Sequence, residues 1–267
     1  MTDILWEYAG TIDAMLAVLS PAKKLDFSPA PDGVAVTEPR FLDDTAELVG
    51  TLRGLSVSEL AGLMSLSDNL ATLNHERYAT FDVDGSDDDA ERKQAVLAFA
   101  GDTYVGLDAP TLDADDLTYA ADHLRILSGL YGVLRPTDAI QPHRLEMGTK
   151  LATDRGDRLY AFWGTRIAER LAEDMGDDRV LLNLASVEYA SSIDRDALDA
   201  RVVTPKFMEV RDGKPKVISF VAKKSRGAMA RWMLQERPAV DDLTSFDVGG
   251  YAYEESLSSE DEPVFTR

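Results

Sequence analysis

Short unbroken apolar runs recur along this chain, separated by longer stretches in which apolar positions return every three or four residues. The first pattern predicts buried strands, the second amphipathic helices. MLAVLS (15–20) and RVLLNLAS (179–186) read as strands. FLDDTAELVGTL (41–52) has helical spacing, and SVSEL (56–60) opens a second helix through a capping box, in which Ser56 and Glu59 satisfy each other's free amide groups. That helix runs to about Leu66, and SDN (67–69) starts a third carrying Asn74 and Arg77. DGSDDDAE (84–91) is an acidic loop entering a helix through Phe99, and DADDLTYAADHLRIL (113–127) is an amphipathic helix. LSGLYGVLRPTD (127–138), with Gly129, Gly132 and Pro136, is a turn. RLYAFWGTRIAERLAEDMG (158–176) predicts one helix with a glycine stop. VVTPKFMEV and PKVISFVA flank a hairpin marked by Asp212-Gly213. A helix then runs from about Phe220 to Arg237, and the tail from YAYEE onward adds edge strands. No repeat or long linker divides the chain. The reading is one domain of mixed α/β (α+β) class, with strand–helix alternation too irregular to assign a doubly wound sheet.

Composition narrows the function. At 267 residues and 45% hydrophobic, the chain can bury a large core. No run approaches the roughly 18 apolar residues of a membrane span, and MTDILWEYAG lacks the pattern of a secretory signal. A cytoplasmic protein with no membrane partner is expected. The absence of cysteine excludes disulfides, thiolate catalysis and Cys-ligated metals. The histidines are His75, His123 and His143, too scattered to predict a metal site, and no cofactor motif is present.

Charge changes the picture more. The formal net charge is -20, yet residues 201–237 carry ten Lys/Arg and three Asp/Glu. Such asymmetry points to a localised basic patch. On a helix at about 100° per residue, Lys223, Lys224, Arg226, Arg231 and Arg237 fall within one arc of about 160°, with Gly227 inside it and Met229, Trp232 and Met233 opposite. A glycine there costs about 1 kcal/mol against alanine, a cost consistent with close approach of another backbone or a ligand. The alternative for the arc is an ordinary solvated helix face.

Seven segments in order carry a resemblance: SPAKKLD (20–26), SDNLATLN (67–74), AFAGDTYVGLDA (98–109), LSGLYGVLRPTDAIQPHRLEMGTKL (127–151), LYAFWG (159–164), NLASVEY (183–189) and AKKSRGAMAR (222–231). Together they resemble the YaaA family of bacterial peroxide-stress proteins. The resemblance covers about residue 15 to the C-terminus, so residues 1–14 read as an upstream extension of a single domain, 15–267. It implies a family-specific α/β fold with a positively charged cleft and a helix-hairpin-helix element. It further implies binding of double-stranded DNA or repair intermediates, and a part in DNA repair and in limiting iron-dependent damage. The family is not established as enzymatic. The chain departs from the family pattern at Asn69, where SDK is usual, and at His143, where tyrosine is usual.

On this reading Ser20, Lys23, Lys24, Asn74, Arg77, Lys206, Lys223, Lys224, Arg226 and Arg231 are candidates to contact DNA phosphates, which are bound without reading sequence. Arg135, Arg144, Glu146, Asn183 and Glu188 are candidates to line the cleft, or equally to form structural ion pairs. Two segments are candidates for the helix-hairpin-helix: ELAGLMSLSDNLATLN, favoured on helical continuity, and DHLRILSGLYGVL. The rival function is an enzyme holding a nucleotide or phosphorylated substrate in the same basic cleft, with Glu146 or Glu188 as acid or base.

Overall fold

A computed structural model describes residues 15–31, 33–177 and 179–267; the 1–14 extension lies outside the described residues. Its centre is a five-stranded sheet built on the apolar run Leu16–Leu19, which is fully buried. This strand pairs in parallel with Leu124–Ser128 on one side and Val180–Leu184 on the other. Gly132–Leu134 adds an antiparallel edge beyond the first, and Arg201–Val203 a parallel edge beyond the second. Both faces of the central strands are apolar because neighbouring elements cover both, as near-continuous Val/Ile/Leu runs require.

The chain leaves the central strand toward one side and returns to the other, so the order reverses at Leu16–Leu19. This reversal, at the carboxyl ends of parallel strands, is where open α/β sheets form crevices. The irregular alternation in sequence concealed it. The amphipathic segment 113–127 is a helix only over Ala114–His123, and LRILS continues as a buried strand. Segment 127–138 is a strand pair around a tight turn, since Ser128 Oγ accepts the amides of Leu130 (3.3 Å) and Tyr131 (3.1 Å). It therefore holds no helix-hairpin-helix. The other candidate does contain two helices, Val57–Met64 and Asp68–Ala79, joined through Ser65 in the left-handed conformation. The capping box at Ser56 and Glu59 forms in both directions.

Two further expectations shorten. The acidic loop leads into Lys93–Gln94, which pairs with Ala139–Ile140, and then a single helical turn, Ala95–Ala98. The predicted 158–176 helix breaks at Gly164 (φ 52°) into Leu159–Trp163 and Arg166–Asp174. The hairpin at Asp212-Gly213 forms with both residues at positive φ, 53° and 70°. It joins Lys206–Arg211 to Lys214–Lys216 in a second sheet of four strands. In that sheet the tail strand Val264–Thr266 is internal, and Ala252–Tyr253 is the edge.

The long helix Ser219–Glu236 spans the two sheets' neighbourhoods. Trp232 packs edge-on to Phe246 at 5.6 Å, and Phe246 meets Phe207 and Phe265 of the second sheet. Gly227 is buried in the middle of the predicted basic arc. A Cβ there would stand 1.8 Å from Thr103 O, and one on Gly106 would stand 2.0 Å from Lys224 O. The reciprocal glycines let this helix and Asp102–Leu107 touch backbone to backbone. No helix among the described residues is long and apolar enough to cross a membrane.

Candidate functional site

A cavity of about 530 Å³ opens where the three central parallel strands end. Ser20, Ser128 and Ser186 stand at those ends. Ser20 Oγ accepts the Ser186 amide at 2.8 Å and donates to Ser186 Oγ at 3.3 Å, which ties two strand exits together across the order reversal. Tyr104 OH donates to Ser20 O at 3.1 Å, so the glycine-packed helix is fastened to the same point. Backbone bonds from Asp26 N to Ala98 O (2.8 Å) and from Ala100 N to Lys24 O (2.9 Å) hold the lysine loop rigid.

The cavity collects Ser20, Lys23, Lys24, Arg144, Glu146, Glu188, Lys223 and Arg226 from four distant segments. Its lining has five basic residues and three acidic ones, Asp102, Glu146 and Glu188, in a chain of net charge -20. The acids are already engaged in part. Glu146 takes Lys23 Nζ at 2.7 Å and Arg144 Nη2 at 3.0 Å. Burial alone would raise its carboxyl, but the hydrogen bonds from Lys23 and Arg144 bring it below the ordinary value. Glu188 accepts the Gly148 amide at 2.9 Å and so pins the loop that carries Glu146.

Arg226 differs from Arg144, the other arginine of the cavity lining. It is half-buried, burial alone lowers its pKa, and no carboxylate pairs with it among the described residues. It also lines an adjoining cavity of about 450 Å³, shared with Asn183, Val217 and the Lys206–Glu262 pair. A guanidinium withdrawn from water without a counter-ion is costly, and an arriving anion relieves that cost. Lys24, Lys223 and Lys224 are exposed, with no ion-pair partner among the described residues. Lys224 lies on the same helix, just outside the cavity lining.

The remaining candidates sit elsewhere or serve the fold. Arg231 Nη1 donates to Leu107 O (3.1 Å), Asp108 O (2.9 Å) and Thr111 Oγ1 (2.8 Å), closing the end of the helix Asp102–Leu107. Arg135 bonds Asp138 and Glu38 O away from the cavity. Asn183 Oδ1 accepts the Ala185 amide at 3.1 Å and braces the strand exit. Asn74 is buried and donates to Leu70 O, while Arg77 lies in a separate depression with Glu76, Asp87, Asp89 and Glu91. Their helix does reach the cleft through Tyr78, whose OH donates to Arg144 O at 2.5 Å.

Sequence reasoning missed the inner wall: Phe99, Asp102, Thr103, Ser128, Ser186 and Tyr189. The available signal was a serine at the close of a short apolar run, LRILS for Ser128 and VLLNLAS for Ser186. His143 also lies there, buried between Phe99 and Tyr131, with Nδ1 donating to Gln141 O at 2.8 Å. Burial pushes its pKa down to about 4, so the ring is neutral at physiological pH.

Comparison with known proteins adds a family. A family model described as peroxide stress protein YaaA matches residues 15–257. A UPF0246 protein of Ruegeria pomeroyi is 52% identical over 258 residues, covering 95% of this chain and 98% of its own. One from Roseobacter denitrificans is 52% identical over 259 residues, and one from Burkholderia mallei is 51% identical over 258, with the same coverage of both chains.

Proposed function

The chain belongs to the peroxide stress protein YaaA family, and from that premise we propose that it acts in the peroxide response by binding double-stranded DNA through backbone phosphates in the cleft at the strand ends. The observation that carries this reading is Arg226, a half-buried cation that, like the nearby Lys24, Lys223 and Lys224, has no counter-ion among the described residues of a chain of charge -20. In so acidic a chain, cations in and beside one cleft that have no carboxylate partner among the described residues favour an anionic partner. The pair of helices Val57–Met64 and Asp68–Ala79, which backs the cleft through Tyr78, supports the reading as the remaining helix-hairpin-helix candidate.

The acid–base alternative draws less support. A general acid at neutral pH needs a raised carboxyl, whereas that of Glu146 is lowered, and one oxygen of Glu188 is engaged by the Gly148 amide.

Salt titration of duplex binding by fluorescence anisotropy tests the proposal. Four phosphate contacts give a slope of log affinity on log salt near about -3.6, and replacing Lys223, Lys224 and Arg226 together with alanine flattens it by roughly 2.7. A native slope near zero, or a triple variant that keeps the native slope, would refute it.

A further inference from the structure

The hairpin that precedes the long helix carries Arg211, Lys214 and Lys216, all exposed, against one acid in the same turn, Asp212. Its other acid, Glu209, is taken by Arg267 at 2.5 Å and Tyr251 OH at 3.3 Å. Apolar side chains stand in the open among these cations: Val210 at 48% exposure, Val217 at 60% and Phe220 at 64%. Phe220 is the only exposed phenylalanine among the described residues, and the others are buried or half-buried. It precedes Lys223 and Lys224 by three and four residues, which puts all three on one face of the helix. Lys223 lines the cleft, and Val217 lines the adjoining cavity that shares Arg226. A strip of cations with no ion-pair partner among the described residues, and with an open aromatic ring, therefore runs from the cleft to the hairpin.

We propose that this strip binds unpaired DNA, with Phe220 stacking on a base while Lys216, Lys223 and Lys224 hold the flanking phosphates. Every base offers a face for stacking, but only a strand out of the duplex can present it to a side chain. A self-associating copy fits less well, because a two-fold contact would set these cations against themselves. The proposal rests on the cleft reading and adds a preference: a duplex with a single-stranded tail binds better than a blunt one.

Blunt and tailed duplexes of equal paired length, compared by anisotropy at fixed salt, provide the test. The native protein favours the tailed DNA. Phe220→Ala loses that preference, by roughly five- to hundredfold on the tailed DNA, and keeps its blunt-duplex affinity, whereas Phe220→Trp retains the preference. A 2-aminopurine placed in the tail is quenched by native protein and not by Phe220→Ala. Equal tailed affinity for native and Phe220→Ala overturns the proposal and leaves the cleft reading standing; no binding of either DNA by native protein overturns both. A Phe220→Ala chain whose sedimentation falls to that of a smaller species, with DNA affinity unchanged, assigns the patch to a protein contact instead.

Discussion

Replacing Gly227 by alanine tests the backbone contact that builds one wall of the cleft. The new Cβ falls 1.8 Å from Thr103 O and 2.8 Å from Leu107 N. Carbon–oxygen contacts settle near about 3.3 Å, so the helices must separate by on the order of 1.5 Å. Both obstacles are backbone, and no side chain can rotate aside. Alanine returns about 1 kcal/mol of helix propensity. Against this stand an overpacking cost at or above the usual range of about 1–3 kcal/mol and looser packing of the buried neighbours Met229, Ala230 and Met233. The net is a loss of about 3 kcal/mol, or a fall in Tm of roughly 6–12 °C for a chain of this length. Lys223 and Arg226 ride on the displaced helix, so duplex affinity falls as well at temperatures where the variant is folded. Gly62 is the control: it is exposed within its helix, and a Cβ there meets nothing within 4 Å. Gly62→Ala gains up to about 1 kcal/mol and raises Tm by a few degrees. Thermal unfolding followed by circular dichroism reads both variants. A Gly227→Ala protein that melts at or above the native temperature would show that the helices do not cross as described.

Two further predictions concern the cleft's inner wall and its support. The native fold holds His143 neutral with a pKa of about 4, whereas the unfolded chain takes up a proton near the ordinary 6.5; the stability it contributes is therefore present above pH 6.5 and lost as pH falls from there toward 4, on the order of 3 kcal/mol in full. The difference in urea midpoint between native and His143→Phe should change across that window, and a constant difference would contradict the burial argument. Arg231→Ala takes its donor from the carbonyl of the buried Leu107, while the Asp108 carbonyl keeps the Thr111 amide and hydroxyl; it should cost about 1–3 kcal/mol of stability while the salt slope of DNA binding stays native, and a stable variant with a flatter slope would return Arg231 to the phosphate-binding set.

Local chemistry was legible in the residues. Ser56 and Glu59 form their capping box because its partners lie three positions apart, and Asp212-Gly213 turns because that pair tolerates positive φ. The runs at Leu16–Leu19 and Val180–Leu184, the second interrupted only by Asn183, were strands because so short an apolar run must be covered on both sides. The basic excess of 201–237 and the seven ordered motifs were legible too, and they carried the family.

Which cations remain free was decided only by the fold. Arg226 and Arg231 stand on the same predicted arc, yet one has no counter-ion among the described residues and the other closes a helix end more than a hundred residues away in sequence. Gly106 and Gly227 make that difference, since their backbone contact brings the Leu107 and Asp108 carbonyls within reach of Arg231. Periodicity describes one helix at a time, whereas the fate of a charge depends on what a second element brings to it. The strand reversal at Leu16–Leu19, which gathers Ser20, Ser128 and Ser186 beneath the lysines, is likewise a property of pairing between distant segments.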